Sequence, residues 1–286
     1  MHATVFIWNL LSFLLLHVAG YICTPPGERR MLIFKLLLTP VIIGLVSLAG
    51  RRWGPAVSGW LVGLPLTAAP VVLFLALEQG RSFAATAALG TLLGQISVAS
   101  FCLAYSWISL RFGWLYSLLT GWCVFFILTA ALEHLSVPLI LAFVGAICFL
   151  AIVLKLLPAS QQHVDLKNPP PWEIPLRMLV ATAIVLVLTG VAGLLGPQLS
   201  GLLTTFPMYA SILAAFSHQF QGSIAARRLL RGVVTGLFTF AVFFLIVAST
   251  IERWGIAPAF VLAILAALFI HGSSFILLRK YVTGVN

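Results

Sequence analysis

Acidic residues are nearly missing from this chain: 286 residues carry six Asp and Glu in all. Charged residues of either sign make up 8%, where a soluble domain carries roughly 25%. That scarcity excludes an ordinary water-facing surface. Cysteine is also sparse. Cys23, Cys102, Cys123 and Cys148 lie in or beside apolar segments, with no CxxC pair and no neighbouring His or Asp, so they read as small apolar residues rather than a disulfide or metal framework. No HExxH, GxSxG or P-loop is present, and no acidic pair has metal-ligand spacing. The sequence therefore gives no reason to expect an enzyme, an ATP-driven pump or a bound cofactor. Alternating segments of about ten residues, the mark of a membrane β-barrel, are missing too.

What is present is apolar. Hydrophobic residues make up 62% of the chain and the mean hydropathy is +1.14. Runs of about 20 apolar residues recur, each long enough to cross a ~30 Å hydrocarbon core as a helix. Ten spans are expected, at about 4–23, 31–50, 55–77, 82–107, 113–133, 136–157, 174–195, 198–219, 229–250 and 255–278. The expected fold is thus an all-α polytopic membrane protein, its first partner the lipid bilayer. The segment 4–23 lacks the basic start and small-residue cleavage site of a signal peptide and is read as an uncleaved helix; the rival reading starts translation at Met31. The longest polar stretch, 158–173, contains Pro169-Pro170-Pro171 and reads as a linker. The net charge of +10 does not indicate nucleic-acid binding, because no stretch is long enough to build a basic, water-facing domain.

The chain repeats itself at an offset of 142 residues. Gly54-Pro55-Ala56-Val57-Ser58-Gly59 aligns with Gly196-Pro197-Gln198-Leu199-Ser200-Gly201. Without gaps, Pro65 then meets Pro207, Gln79-Gly80 meets Gln221-Gly222, Gly90 and Gly94 meet Gly232 and Gly236, and Arg111-Phe112-Gly113 meets Arg253-Trp254-Gly255. Apolar composition alone would match Leu, Ala and Val at any offset; these matches fall on Gly, Pro, Ser, Gln and Arg at one. Repeat 1 is assigned to 1–134 and repeat 2 to 135–286, each with five spans. An odd number sends the second half into the bilayer from the opposite side, an inverted repeat of the kind found in secondary transporters.

Charge supports this topology. The side carrying both termini holds Arg51, Arg52, Arg111, Lys155, Lys167, Arg177, Arg227, Arg228, Arg231, Arg279 and Lys280. The other holds Arg29, Arg30, Lys35, Arg81 and Arg253. By the positive-inside rule both termini are cytoplasmic, in a bacterial inner membrane. Arg51-Arg52 matches uncharged Gly193-Leu194, so equivalent loops differ in charge as inversion requires.

The shared motif G-P-x-x-S-G-x-L-x-x-x-P locates a candidate site. Gly-Pro starts a helix well, because Pro at the first turn lacks an N–H that would be unpaired anyway. Pro65 and Pro207 follow about ten residues later, roughly 15 Å along a helix and near the midplane. Proline there frees a carbonyl that needs another helix, a hydroxyl or water, and Pro70 would add a second defect. Paired breaks in two inverted halves point to a substrate site; packing kinks are the plainer reading. The expected substrate-binding residues are Ser58, Pro65, Thr67, Gln95, Ser200, Thr204, Thr205, Pro207, Tyr209 and Ser211. Each polar one is otherwise a helix–helix hydrogen bond worth about 0.6 kcal/mol. No carboxylate falls at mid-membrane, so Glu78 and His218 are the candidates for ion coupling. His17 and His271 lie inside the first and last spans, and Glu28, Glu133, Asp165, Glu173 and Glu252 at loops or helix ends.

Ten helices in two inverted five-helix halves resemble the drug/metabolite transporter superfamily in architecture. The stretch from Arg51-Arg52-Trp53-Gly54-Pro55 through Pro65-Leu66-Thr67 to Glu78-Gln79-Gly80, with Phe206-Pro207-Met208-Tyr209-Ala210, is similar to small GlpM-like bacterial membrane proteins over about 60 residues per half. Those are about one half in length, which implies a fused pair and implies no substrate. The expected function is a secondary transporter or exporter of a small neutral, zwitterionic or amphiphilic solute by alternating access. A lipid flippase and a non-transporting scaffold subunit are the alternatives, and a second copy of the chain is a candidate partner.

Overall fold

The computed structural model describes the backbone of residues 26–66, 68–133, 137–158, 169–170, 172–184 and 206–283. Within these ranges side chains are described from Thr39 to Ser273, apart from Glu133. The expected span 4–23 lies outside the described residues, as do most of the linker 158–173, residues 185–205, and His17 and Cys23. All regular structure among the described residues is helical: α1 (Pro26–Trp53), α2 (Pro55–Val62), α3 (Ala68–Glu78), α4 (Arg81–Ile108), α5 (Trp114–Glu133), α6 (Leu139–Leu156), α7 (173–184), α8 (Met208–Gln221), α9 (Ser223–Trp254) and α10 (Ile256–Thr283). Five of them, α4, α5, α6, α9 and α10, contain stretches long and apolar enough to cross a membrane. Large apolar side chains face outward on α5, α6 and α10: Ile127 is 69% exposed, Ile140 66% and Phe269 78%. Such a surface is at home in lipid. The chain is a membrane-embedded, multi-pass helical protein.

Glycine sets the punctuation. Gly80 and Gly222, 142 residues apart, have φ of +94° and +91° and close one helix while opening the next. Extended backbone at positive φ is essentially restricted to glycine. The chain can therefore reverse there in a single residue, between α3 and α4 and again between α8 and α9. Gly54 does the same before Pro55, which occupies the first helical position as the Gly-Pro pair predicts.

The expected single span 55–77 is two helices. α2 has 8 residues and α3 has 11, about 12 and 16 Å long, so neither crosses a bilayer alone. Residues 63–66 between them are non-helical. Pro65 has no N–H to continue the ladder, and the turn closes on itself through Leu66 N–H to Leu64 O at 2.8 Å. Pro65 is thus a chain interruption rather than a kink. Pro70, expected as a second defect, stands in the first turn of α3, where its missing N–H leaves nothing unpaired. Pro207 likewise precedes α8 instead of bending a longer helix.

α4 and α9 form the centre. Each has about half its apolar span buried, against under a third for α5, α6 and α10. They run antiparallel. The Arg81 guanidinium at the start of α4 lies 3.7 Å from where a Cβ on Gly255, just past α9, would stand. At the other end, Tyr105 of α4 reaches His218, just before α9 begins. Between apolar helices in lipid, contact is won by close van der Waals packing. α2 meets α9 in that way, backbone to backbone. A Cβ on Gly59 would strike the Leu229 carbonyl, one on Gly63 the Gly236 backbone, and one on Gly232 the Ala56 carbonyl. Two buried clusters follow the depth. One includes Phe101, Tyr105, Leu213 and Leu230 towards the Arg51 end. The other includes Val72, Leu92, Phe244 and Phe260 towards the Arg81 end.

Candidate functional site

Two places gather polar groups inside this apolar frame. The first lies at mid-depth. Leu92 belongs to the cluster around α3, while Val98 packs on the cluster that Leu61 and Val62 of α2 adjoin. Gln95 falls between them, level with the interruption at 63–66. It is 1% exposed, and neither its Oε1 nor its Nε2 has a hydrogen-bond partner. Ser97, fully buried, leaves its hydroxyl unpaired as well. A carboxamide offers two donors and an acceptor, and hydrocarbon satisfies none of them.

Across the centre, Gly236 touches Gly63, so Thr239 one turn along α9 is at similar depth. Its hydroxyl is 3.2 Å from His271 Nδ1, and the His271 ring stacks on Trp60 with centroids 3.5 Å apart. His271 is buried in the middle of α10. The sequence shows a His within the last span; the stacking on α2 and the bond to α9 are visible only in three dimensions.

The remaining expected residues divide. Pro65 and Pro207 are buried at the interruption and at the start of α8. Tyr209 donates to Thr39 Oγ1 of α1 at 3.3 Å, and Ser211 accepts from Trp122 Nε1 of α5 at 2.9 Å. Both act as helix–helix ties, the plainer reading of those two. Ser58 is buried towards the Arg51 end, away from Gln95. Thr67, Ser200, Thr204 and Thr205 lie outside the described residues. Glu78 is an exposed residue at the end of α3, about 16 Å along the helix from the interruption. His218 is half-buried at the opposite end, its Nδ1 3.3 Å from the Tyr105 hydroxyl. Neither coupling candidate joins the mid-depth group.

The second place is a cleft at the Arg51 end, where α1, α2, α7, α8 and the start of α9 converge. Glu173, expected at a loop edge, is 1% exposed in the first turn of α7. It pairs with Arg177 one turn on and with Arg51 of α1 at 3.5 Å. Arg51 also donates to the Pro170 carbonyl at 2.8 Å. Arg177 is 5% exposed and reaches Ser47 at 3.5 Å, leaving its Nε unpaired. Ser58 and Ser217 line the same cleft, and the Ser58 hydroxyl has no partner. The free space in the cleft is about 10 Å³, room for one water. In the sequence alone, Arg51 and Arg177 read as topology charges and Glu173 as a residue at a loop or helix end. The retrievable sign was Glu173 four residues before Arg177 on a helix otherwise apolar. No cluster of three metal-ligating side chains occurs among the described residues.

No protein-family model, curated protein or solved structure matches this chain.

Proposed function

We propose that this chain is a secondary transporter of a small neutral, zwitterionic or amphiphilic solute, working by alternating access in a bacterial inner membrane with both termini cytoplasmic. The observation that carries the proposal is Gln95. An unpaired, fully buried carboxamide costs stability, and a scaffold gains nothing by keeping one at mid-depth, level with a broken helix. A solute held there would take up those hydrogen bonds, and the interruption at 63–66 gives the local freedom that a transport site needs.

Inversion of two repeats is the second part of the proposal. Its support is the recurrence at offset 142 of a positive-φ glycine between corresponding helices, Gly80 and Gly222. The long helices that follow, α4 and α9, begin at Arg81 and Ser223, also 142 apart, and run antiparallel. Orientation follows charge. Arg51, Arg111, Lys155, Arg177 and the Arg227–Arg231 group share one end with Glu173, and that end is cytoplasmic in this reading.

Cysteine accessibility in intact cells tests the proposal. On a background lacking the four native cysteines, Leu66→Cys and Phe206→Cys are treated with a small membrane-impermeant thiol reagent. Reaction at both sites is expected, since water must reach the interruption from outside for part of the cycle. Inert cysteines at both, alongside reactive controls at Arg81→Cys and Arg253→Cys, would contradict it.

A further inference from the structure

The cleft at the Arg51 end has chemistry that neither repeat symmetry nor solute transport requires. It gathers two guanidinium groups and one carboxylate. Glu173 is the only carboxylate at this end among the described residues; Glu78 and Glu252 lie at the other. Glu173 and Arg177 are withdrawn from water, and Arg51, its side chain 31% exposed, adds a second positive charge beside that buried pair. A buried donor without a partner costs stability that a bound acceptor would restore. Two donors are also left over: Arg177 Nε, and the hydroxyl of Ser58, which is 2% exposed and lines the cleft. Ser217 and Gln221, one turn apart on α8, line it as well.

We propose that this cleft binds a single anionic group, a carboxylate or a phosphate, between Arg51, Arg177 and Ser58. Arg presents planar N–H pairs that match the oxygens of either group, and the free space of the cleft, about 10 Å³, admits one oxygen of that group. Glu173 is the internal stand-in for that anion: it holds the two arginines together when the site is empty and competes with the ligand when it is full. The anion can belong to a free solute or to the headgroup of an acidic lipid. The inference rests on the cleft alone and not on transport.

The test uses the full chain purified in a neutral detergent, with the unfolding midpoint followed at constant ionic strength. Sodium acetate, inorganic phosphate and phosphatidylglycerol are titrated against a chloride control. A saturable rise in midpoint is expected with at least one of the three. Saturation by a soluble anion assigns the site to free solutes, and a response to phosphatidylglycerol alone assigns it to a lipid headgroup. Arg51→Gln leaves the Glu173–Arg177 pair intact and is expected to weaken the response about tenfold, the loss of one charge-assisted bond. Glu173→Gln removes the competitor and is expected to strengthen it by about the same factor, which a purely structural ion triad would not do. Ser58→Ala, which leaves the ion pairs untouched, is expected to weaken the response severalfold and serves if Glu173→Gln does not fold. Midpoints that move no further with any of the three anions than with chloride would overturn the proposal. So would a full response retained in both Arg51→Gln and Ser58→Ala. Anion binding in a protein whose Leu66→Cys and Phe206→Cys sites stay inert would sink the transporter reading and leave this one standing.

Discussion

At the scale of single residues, the polar groups of this protein divide by whether a neighbour satisfies them. Tyr209 and Ser211 find partners on α1 and α5, and removing either would cost what a helix–helix tie costs, about 0.6 kcal/mol. Gln95 finds none. A buried group without a partner costs about 1–3 kcal/mol, while replacing it by an apolar group of similar shape is neutral or stabilising. Gln95→Leu should therefore raise stability by about 1 kcal/mol or more, measured by denaturant titration of the purified protein, while any transport activity falls. A loss of stability instead would mean that Gln95 has a structural partner, and the solute site would have to be sought elsewhere. His271 makes the converse point. It is an ionisable residue at mid-depth, yet its Nδ1 meets Thr239 and its ring lies on Trp60, so it ties α10 to α9 and α2.

At the scale of elements, the contact between α2 and α9 brings backbone directly against backbone. Gly59 on α2 and Gly63 just past its end face Gly232 and Gly236 on α9, and a Cβ at any of the four would strike opposing backbone. Backbone cannot move aside as a flexible side chain can. Gly59→Ala should cost about 1–3 kcal/mol, read in the same titration. Gly145→Ala on lipid-facing α6, where nothing lies within 4 Å, should change stability by less than about 0.5 kcal/mol. The glycines, and the apolar runs that became α4, α5, α6, α9 and α10, were legible because they follow from local rules: a helix needs length and hydropathy, a reversal needs positive φ, and Gly-Pro starts a helix. The division of span 55–77 was half legible. Pro65 marks the place, but whether proline bends a helix or ends it is decided by its neighbours, here the packing of Gly63 on Gly236. The Arg51–Glu173–Arg177 cleft was not legible. Burial of Glu173 depends on α1 and α8 arriving from more than 30 residues away on either side, and no local pattern encodes that.

At the scale of the whole molecule, close packing crosses between the sequence halves. α2 belongs to the first half and is seated on α9 of the second. In the transport reading the moving bodies are therefore not residues 1–134 and 135–286: α2 travels with α9, and the interruption at 63–66 lets α3 part from α2. The two ends of the molecule are then linked through that break, with the cleft of Arg51 and Gln221 at one end and Arg81 and Arg253 at the other. The most direct test joins the two. In a cysteine-free background, Arg51→Cys and Gln221→Cys are bridged by a short thiol cross-linker in membrane vesicles, and the reactivity of Leu66→Cys is then measured from the outer face. Alternating access predicts that closing the cleft at the Arg51 end raises labelling of Leu66→Cys from the opposite face severalfold. Labelling that is unchanged by the bridge would mean that the two ends do not communicate, and would contradict the account.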